Sequence, residues 1–175
     1  MPECFKNMGY EGMIYMAADI VLGYDKKNDL KKLFTEYTDM LVANDATFAA
    51  SLKMQKYEEE IEHLHDKYGM PDGRLYIAYV EGIPAGCAAF HRYDAVRCEG
   101  KRLYVRPQYR GQHIATLLME KIMKEAKEIG YKIFLLDTLP FLKEAIKMYE
   151  KYGFYEIPKY YDSPVASTIY MEKKL

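Results

Sequence analysis

Apolar residues recur three and four positions apart in two stretches near the start of the chain. Leu30, Leu33, Phe34, Tyr37 and Leu41 fall on one face, which predicts an amphipathic helix that Asn28 or Asp29 can cap. Tyr57, Ile61, Leu64 and Tyr68 predict a second helix, with Glu58, Glu59, Glu60 and Glu62 largely on its wet side. Asn44 to Thr47 interrupts the pattern between them, and Pro71-Asp72-Gly73 ends the region. Upstream, Met13 to Val21 is apolar enough for a first strand, and residues 1–12 read as an irregular extension.

The pattern then changes. Arg74 to Val80 and Gly86 to His91 read as strands joined in a hairpin across Glu81-Gly82. A third strand runs from about Val96 to Val105, and Gly100 within it marks a bulge or a close backbone approach. Helical spacing returns at Ile114, Leu117, Leu118 and Ile122 and continues to Ile129, where Gly130 stops it. Ile133 to Asp137 is a short buried strand. Pro140 suits a first helical turn, so a last helix is expected to run to about Tyr152 before Gly153. Phe154 to Ile157 and Thr168 to Met171 are the remaining strands. The strand–helix–strand unit at 101–137 calls for a parallel pair, whereas the hairpin is antiparallel. An α/β fold follows, with a mixed sheet and helices on both faces. No repeat or linker divides residues 13–175, which are expected to form one domain.

Composition narrows the function. The 175 residues carry 25 Lys+Arg against 26 Asp+Glu, a net charge of −1, so no basic excess recommends nucleic acid as a partner. Any cationic site must be local. No stretch of about 18 apolar residues is present, so no membrane span is expected. Cys4, Cys87 and Cys98 are odd in number and lack metal-ligand spacing, which points to a reducing cytoplasm without disulfides. Cys87 and Cys98 sit in predicted strands, as buried thiols rather than nucleophiles. His63 and His65 lie two apart on a helix and face different ways, a poor metal pair, so no metal is expected. Eighteen tyrosines stand beside no tryptophan. They either pack at the edge of the core or line a cleft.

The stretch "VRPQYRGQHIATLL", Val105 to Leu118, carries the clearest chemistry. A strand ends, a turn with Arg110 and Gly111 follows, and a helix begins. Unpaired N–H groups at such a junction converge on one point, and Arg110 adds a fixed positive charge, which suits a phosphate. A nucleotide P-loop needs Gly-Lys-Ser/Thr, but Gln112-His113 follows Gly111. A dinucleotide fingerprint needs three glycines, and one stands here. The acetyl-coenzyme A pyrophosphate turn, Gln/Arg-x-x-Gly-x-Gly/Ala, matches at Gln108 and Gly111. His113 stands where Gly or Ala is expected, and Ala115 follows as a small residue.

With that turn the chain resembles the GNAT-type N-acetyltransferases, over about residues 13–175. "CEGKRLYVRPQYRG" resembles the family's fourth strand and pyrophosphate turn, and "LYIAYVEGIPAGCAAF" its second and third strands. "DTLPFLKEAIKMYEKYGF" resembles the fifth strand and following helix, with Ala145, Tyr149, Gly153 and Phe154 in the pattern Ala-x-x-x-Tyr-x-x-x-Gly-Phe. Leu142 stands where many members have Asn. "IPKYYDSPVASTIYMEKKL" resembles the close of one bacterial subgroup.

The resemblance implies a GNAT-type fold, a mostly antiparallel mixed sheet splayed between strands 4 and 5. It implies acetyl-coenzyme A as co-substrate and an amine acceptor, a small molecule or a peptide. Arg110, Gly111, Gln112, His113, Ile114, Ala115 and Thr116 would hold the pyrophosphate. Leu103, Tyr104 and Val105 would offer backbone groups to the pantetheine arm. Tyr149 would protonate the leaving thiolate, unless it is simply core. Glu99 would accept a proton from the amine, directly or through water, unless it is a strand-edge charge paired with Lys101 or Arg102. Tyr152, one turn on, reads as structural. Direct attack on the thioester needs no metal. A non-catalytic acyl-coenzyme A sensing domain of the same fold is the alternative, and an interaction protein that has lost the cofactor is another. A homodimer is compatible with either.

Overall fold

The computed structural model describes residues 17–54 and 56–175. Its elements are β1 (Ala18–Leu22), α1 (Lys27–Asn44), α2 (Phe48–Met54), α3 (Tyr57–Glu62), α4 (Leu64–Tyr68), β2 (Arg74–Val80), β3 (Ile83–Arg92) and β4 (Arg97–Val105), then a 3₁₀ turn (Pro107–Tyr109), α5 (Ile114–Ile129), β5 (Ile133–Thr138), α6 (Lys143–Lys151), β6 (Tyr155–Ile157) and β7 (Ile169–Lys174). The strands form one sheet in the order β1-β2-β3-β4-β5-β7-β6. Only β4 and β5 pair in parallel; the other neighbours are antiparallel, as the strand–helix–strand unit required.

Alternation along β2, β3 and β4 divides the core. Leu75, Ile77, Cys87, Ala89 and Tyr104 pack under Leu30, Leu33 and Phe34 of α1, with Ile61, Leu64 and Tyr68 from α3 and α4. Tyr76, Ala78, Ala88, Phe90, Cys98 and Val105 pack against Ile114, Leu118, Met119 and Ile122 of α5 and Tyr149 of α6. Helices therefore cover both faces. Among the described residues no helix is long and apolar enough to cross a membrane.

Several expectations change. The break after Asn44 is brief, and Phe48–Met54 folds as a helix whose Phe48 seats against Leu41, Leu139 and Val165. The helix expected from Tyr57 to Tyr68 is two short ones meeting at His63. Glu60 leaves the wet side: it is buried, at 5% exposure, because Arg102 needs a partner there. Lys26, whose side chain makes no capping bond, precedes α1 in place of an Asn28 or Asp29 cap. Pro140 lies in the turn before the last helix, which begins at Lys143. The first strand begins at Ala18; Met13 to Met16, of the expected strand, and residues 1–12 lie outside the described residues.

The sheet opens at the boundary between β4 and β5. Their pairing covers Arg97↔Ile133, Cys98↔Phe134 and Glu99↔Leu135, and goes no further. Gly100 is a close approach rather than a bulge: a Cβ there would meet Cε1 of Phe134 at 2.5 Å. The bulge lies just beyond. Cys87 pairs with Tyr104 and Ala89 with Lys101, so two steps along β3 match three along β4. Arg102, in the extra length, has φ 61°. Past Glu99 the strands part.

Candidate active site

Val105 delivers the chain into the turn, and backbone geometry accounts for its residues. Gly111 has φ 78°, and an added Cβ would touch nothing within 4 Å, so the left-handed angle rather than crowding calls for glycine. His113 shares that region, at φ 61°, and directly precedes α5. This explains why a small residue is expected at 113, and histidine is among the side chains that tolerate the conformation better than most. The first backbone bond of the helix runs from Leu117 N–H to the His113 carbonyl. Among the described residues no backbone carbonyl accepts from the amides of Gly111, Gln112, Ile114, Ala115 or Thr116. Free amides at the start of a 16-residue helix, with the dipole behind them, can hold an anion.

A cleft of about 720 Å³ opens at this turn. Leu103, Tyr104, Val105, Arg110, Gly111, His113, Ile114, Ala115 and Thr116 line it, joined by Tyr149, so the sequence-predicted residues converge, with two exceptions, Gln112 and Glu99. Gln112 is absent from the wall: its Nε2 leans toward the Gln108 carbonyl at 3.4 Å and its Oε1 is buried without a partner. The Arg110 Nε donates to the Val105 carbonyl at 3.2 Å, which holds the guanidinium beside the strand end. Phe141, Leu142, Ala145 and Met148 close the far wall. Leu142, where a polar residue was the family's habit, supplies apolar surface.

A smaller cavity of about 50 Å³ continues through the parted strands, between Gly100–Leu103 and Leu136–Leu139. Tyr37, Leu103, Leu142 and Tyr149 line both spaces, so they mark the junction. Among the described residues, the two phenols are its only protic side chains. Tyr149 is 7% exposed and donates no hydrogen bond within the described residues. Burial, with lesser help from Tyr37 and Asp137, pushes its hydroxyl far above the usual phenol range, so it keeps its proton. Burial raises Tyr37 to about 12, with Arg102 partly opposing. Tyr37 escaped the sequence reading because it counted only as apolar face on α1. Thr138, on the smaller cavity's wall, has a buried hydroxyl without a partner. Tyr152 donates to Glu120 of α5 at 2.7 Å, which fits a structural part.

Glu99 sits at the last position of β4 that pairs with β5 and lines neither space. The register sets it opposite His91, whose Nε2 lies 2.8 Å from Oε2. Tyr160 donates to Oε1 at 2.8 Å, and Lys101 Nζ lies 3.1 Å away. Lys101 also bonds Asp137 of β5, which accepts from Tyr161 at 3.2 Å. Burial alone would raise the Glu99 carboxyl, but Lys101, His91 and Tyr160 outweigh it and hold it well below the usual carboxylate range. Lys101 is pushed the other way: burial disfavours its charge, but Asp137 and Glu99 more than offset that. The ion pair with Lys101 is present, and it holds Glu99 in its charged form. His91, Lys101, Asp137, Tyr160 and Tyr161 were not foreseen as a cluster. The hairpin register carried a signal for His91; the tyrosines come from a loop with none.

Cys87 and Cys98 are buried free thiols, and burial raises Cys87 to about 12. Neither is poised as a nucleophile.

Residues 32–154 match the model of the acetyltransferase (GNAT) family. The chain belongs to that family. As a GNAT protein it is similar to an uncharacterized N-acetyltransferase of Schizosaccharomyces pombe, 34% identical over 150 residues, covering 85% of this chain and 88% of that one. Its fold is shared by an acetyltransferase of Streptococcus agalactiae, at TM-score 0.74, 22% identity and coverage of 90% of this chain and 98% of that one. It is shared too by the PaiA N-acetyltransferase of Thermoplasma acidophilum, solved with coenzyme A, at TM-score 0.71, 22% identity and coverage of 91% and 100%. This GNAT chain is therefore an acyltransferase, an N-acetyltransferase acting on an amine.

Proposed function

We propose that the protein moves an acetyl group from acetyl-coenzyme A to an amine by direct attack on the thioester, within one domain spanning 13–175. One observation carries this reading: free amides at the head of α5 open onto a cleft that narrows, between the unpaired edge of β4 and α6, to two phenols, Tyr149 buried and Tyr37 partly buried. The PaiA relative's bound coenzyme A supports the choice of ligand.

The pyrophosphate lies at the turn, with Arg110 beside it and the amides of Gly111, Ile114, Ala115 and Thr116 around it, while Gln112 and His113 shape the turn. The pantetheine arm runs along Leu103, Tyr104 and Val105, whose β5-facing groups the parted strands leave available. The thioester reaches the junction. The amine lone pair attacks the carbonyl carbon, a C–N bond forms, and the C–S bond breaks. Tyr149 gives its hydroxyl proton to the departing sulfur, and solvent restores it. Tyr37 stands beside it as a second donor. The proton lost by the amine passes to water, while Glu99 holds Lys101, His91 and Tyr160 in place. Buried free thiols favour a reducing compartment, so we place the protein in the cytoplasm.

The test is a panel of amines with acetyl-coenzyme A, read by free-thiol release. Acceptor-dependent thiol supports transfer. Cofactor binding without thiol from any amine would instead support a sensing domain.

A further inference from the structure

We propose that Glu60 is a positioning residue, which through its ion pair with Arg102 holds the β4 bulge that aims Leu103–Val105 into the cleft. For the ligand, this rests on reading that cleft as the acetyl-coenzyme A site.

Arg102 carries a left-handed backbone, φ 61°, in mid-strand, where β4 gains a residue on β3. Residues with a Cβ avoid that conformation, so something must hold it. Cys87 Sγ lies 3.3 Å from the Arg102 carbonyl, a weak hold. The side chain is held far more firmly. Its Nε donates to Oε1 of Glu60 at 2.8 Å and a terminal nitrogen to Oε2 at 2.9 Å. Such a two-pronged contact fixes direction as well as distance. The carboxylate is itself fixed, because Tyr68 donates to Oε1 at 2.7 Å and Lys67 to Oε2 at 2.8 Å. Side-chain exposure is 3% for Arg102 and 2% for Glu60, so water competes little. The Tyr57 ring lies 5.4 Å from the guanidinium carbon and the Phe34 ring 5.9 Å.

A guanidinium anchored at a buried point on α3 dictates the backbone beneath it. The three residues after it all line the larger cleft, and Arg102 itself lines the smaller cavity. Without its anchor Arg102 relaxes toward extended backbone. The register of β4 on β3 is then free to slip, and a one-residue slip exchanges the faces of Tyr104 and Val105.

Glycine adopts this backbone without strain, so it can replace the lock and leave the bulge in place. The experiment compares the unsubstituted protein, Glu60→Gln and Glu60→Gln/Arg102→Gly. It reads amide hydrogen exchange of residues 103–105 without ligand, and the Kd of acetyl-coenzyme A. We expect Glu60→Gln to raise both about tenfold, with kcat at saturation within about threefold. Adding Arg102→Gly should return both to within about threefold of the unsubstituted protein. Lost packing lowers thermal stability in both variants, so only a backbone role gives recovery. A double variant as impaired as Glu60→Gln, or a Glu60→Gln protein unchanged in exchange and Kd, overturns the proposal. If Glu60→Gln does not fold, the double variant decides by the same criteria. If the unsubstituted protein does not bind acetyl-coenzyme A, the reading of the cleft fails, and exchange alone decides the lock.

Discussion

The Tyr160 hydroxyl donates to Oε1 of Glu99 at 2.8 Å, though the two residues stand 61 positions apart. With Lys101 beside the same oxygen and His91 on Oε2, it stabilises the carboxylate's charge. Glu99→Gln keeps the shape and removes the charge. If Glu99 organises the cluster, kcat falls less than about tenfold and the melting temperature drops. A direct base would lose about a hundredfold or more. Steady-state kinetics beside a thermal melt separates the two.

Tyr149→Phe removes the hydroxyl at the junction and keeps the ring against Phe154. We expect kcat to fall about a hundredfold, with the Kd of acetyl-coenzyme A within about twofold. Adding Tyr37→Phe should lower the remaining rate by about a further tenfold. An unchanged kcat in Tyr149→Phe would remove its role as proton donor.

Acid should expose the buried pair. Burial pushes the Glu60 carboxyl up, but Arg102 and then Lys67 outweigh it and bring it from 4.5 to about 2. The folded value is depressed, so the stabilisation is complete above the unfolded value. It is lost as pH falls from about 4.5 through about 2. Its size is on the order of 3 kcal/mol. Urea unfolding across that window should show a flatter pH dependence for Glu60→Gln than for the unsubstituted protein. Parallel curves would contradict the assignment.

The turn makes its own prediction. His113→Gly suits the φ of 61°, so the Kd of acetyl-coenzyme A should stay within about threefold. His113→Val puts a β-branched residue in that region, and should cost about 1–2 kcal/mol of stability and weaken binding. Calorimetry on both variants checks this.

Local chemistry made much of the fold legible. Helix spacing placed α1 and α5 within a few residues, and the order of elements required the single parallel pair. The cleft was legible too, because a strand, a glycine turn and a helix start are consecutive in the chain. The features that stayed hidden depend on tertiary neighbours. Glu60 looks like one more solvated acid among Glu58, Glu59 and Glu62 until Arg102 is known to lie beneath it. Gly100 signalled a bulge or a close approach and makes the close approach; the bulge at Arg102, without a glycine, left no such signal. Tyr160 and Tyr161 meet Glu99 and Asp137 through a loop whose path no periodicity records. The helix Phe48–Met54 is short, and its burial comes from Leu139 and Val165, far along the chain.

Calorimetric titration of the protein with acetyl-coenzyme A, with ATP and NAD as controls, puts the cleft to the test most simply. We expect saturable binding at micromolar concentrations for acetyl-coenzyme A alone, weakened when Arg110 is replaced by alanine. Absent binding, or equal binding of all three, would contradict the assignment of the cleft, and the roles given to the turn, Tyr149 and Glu99 would fall together.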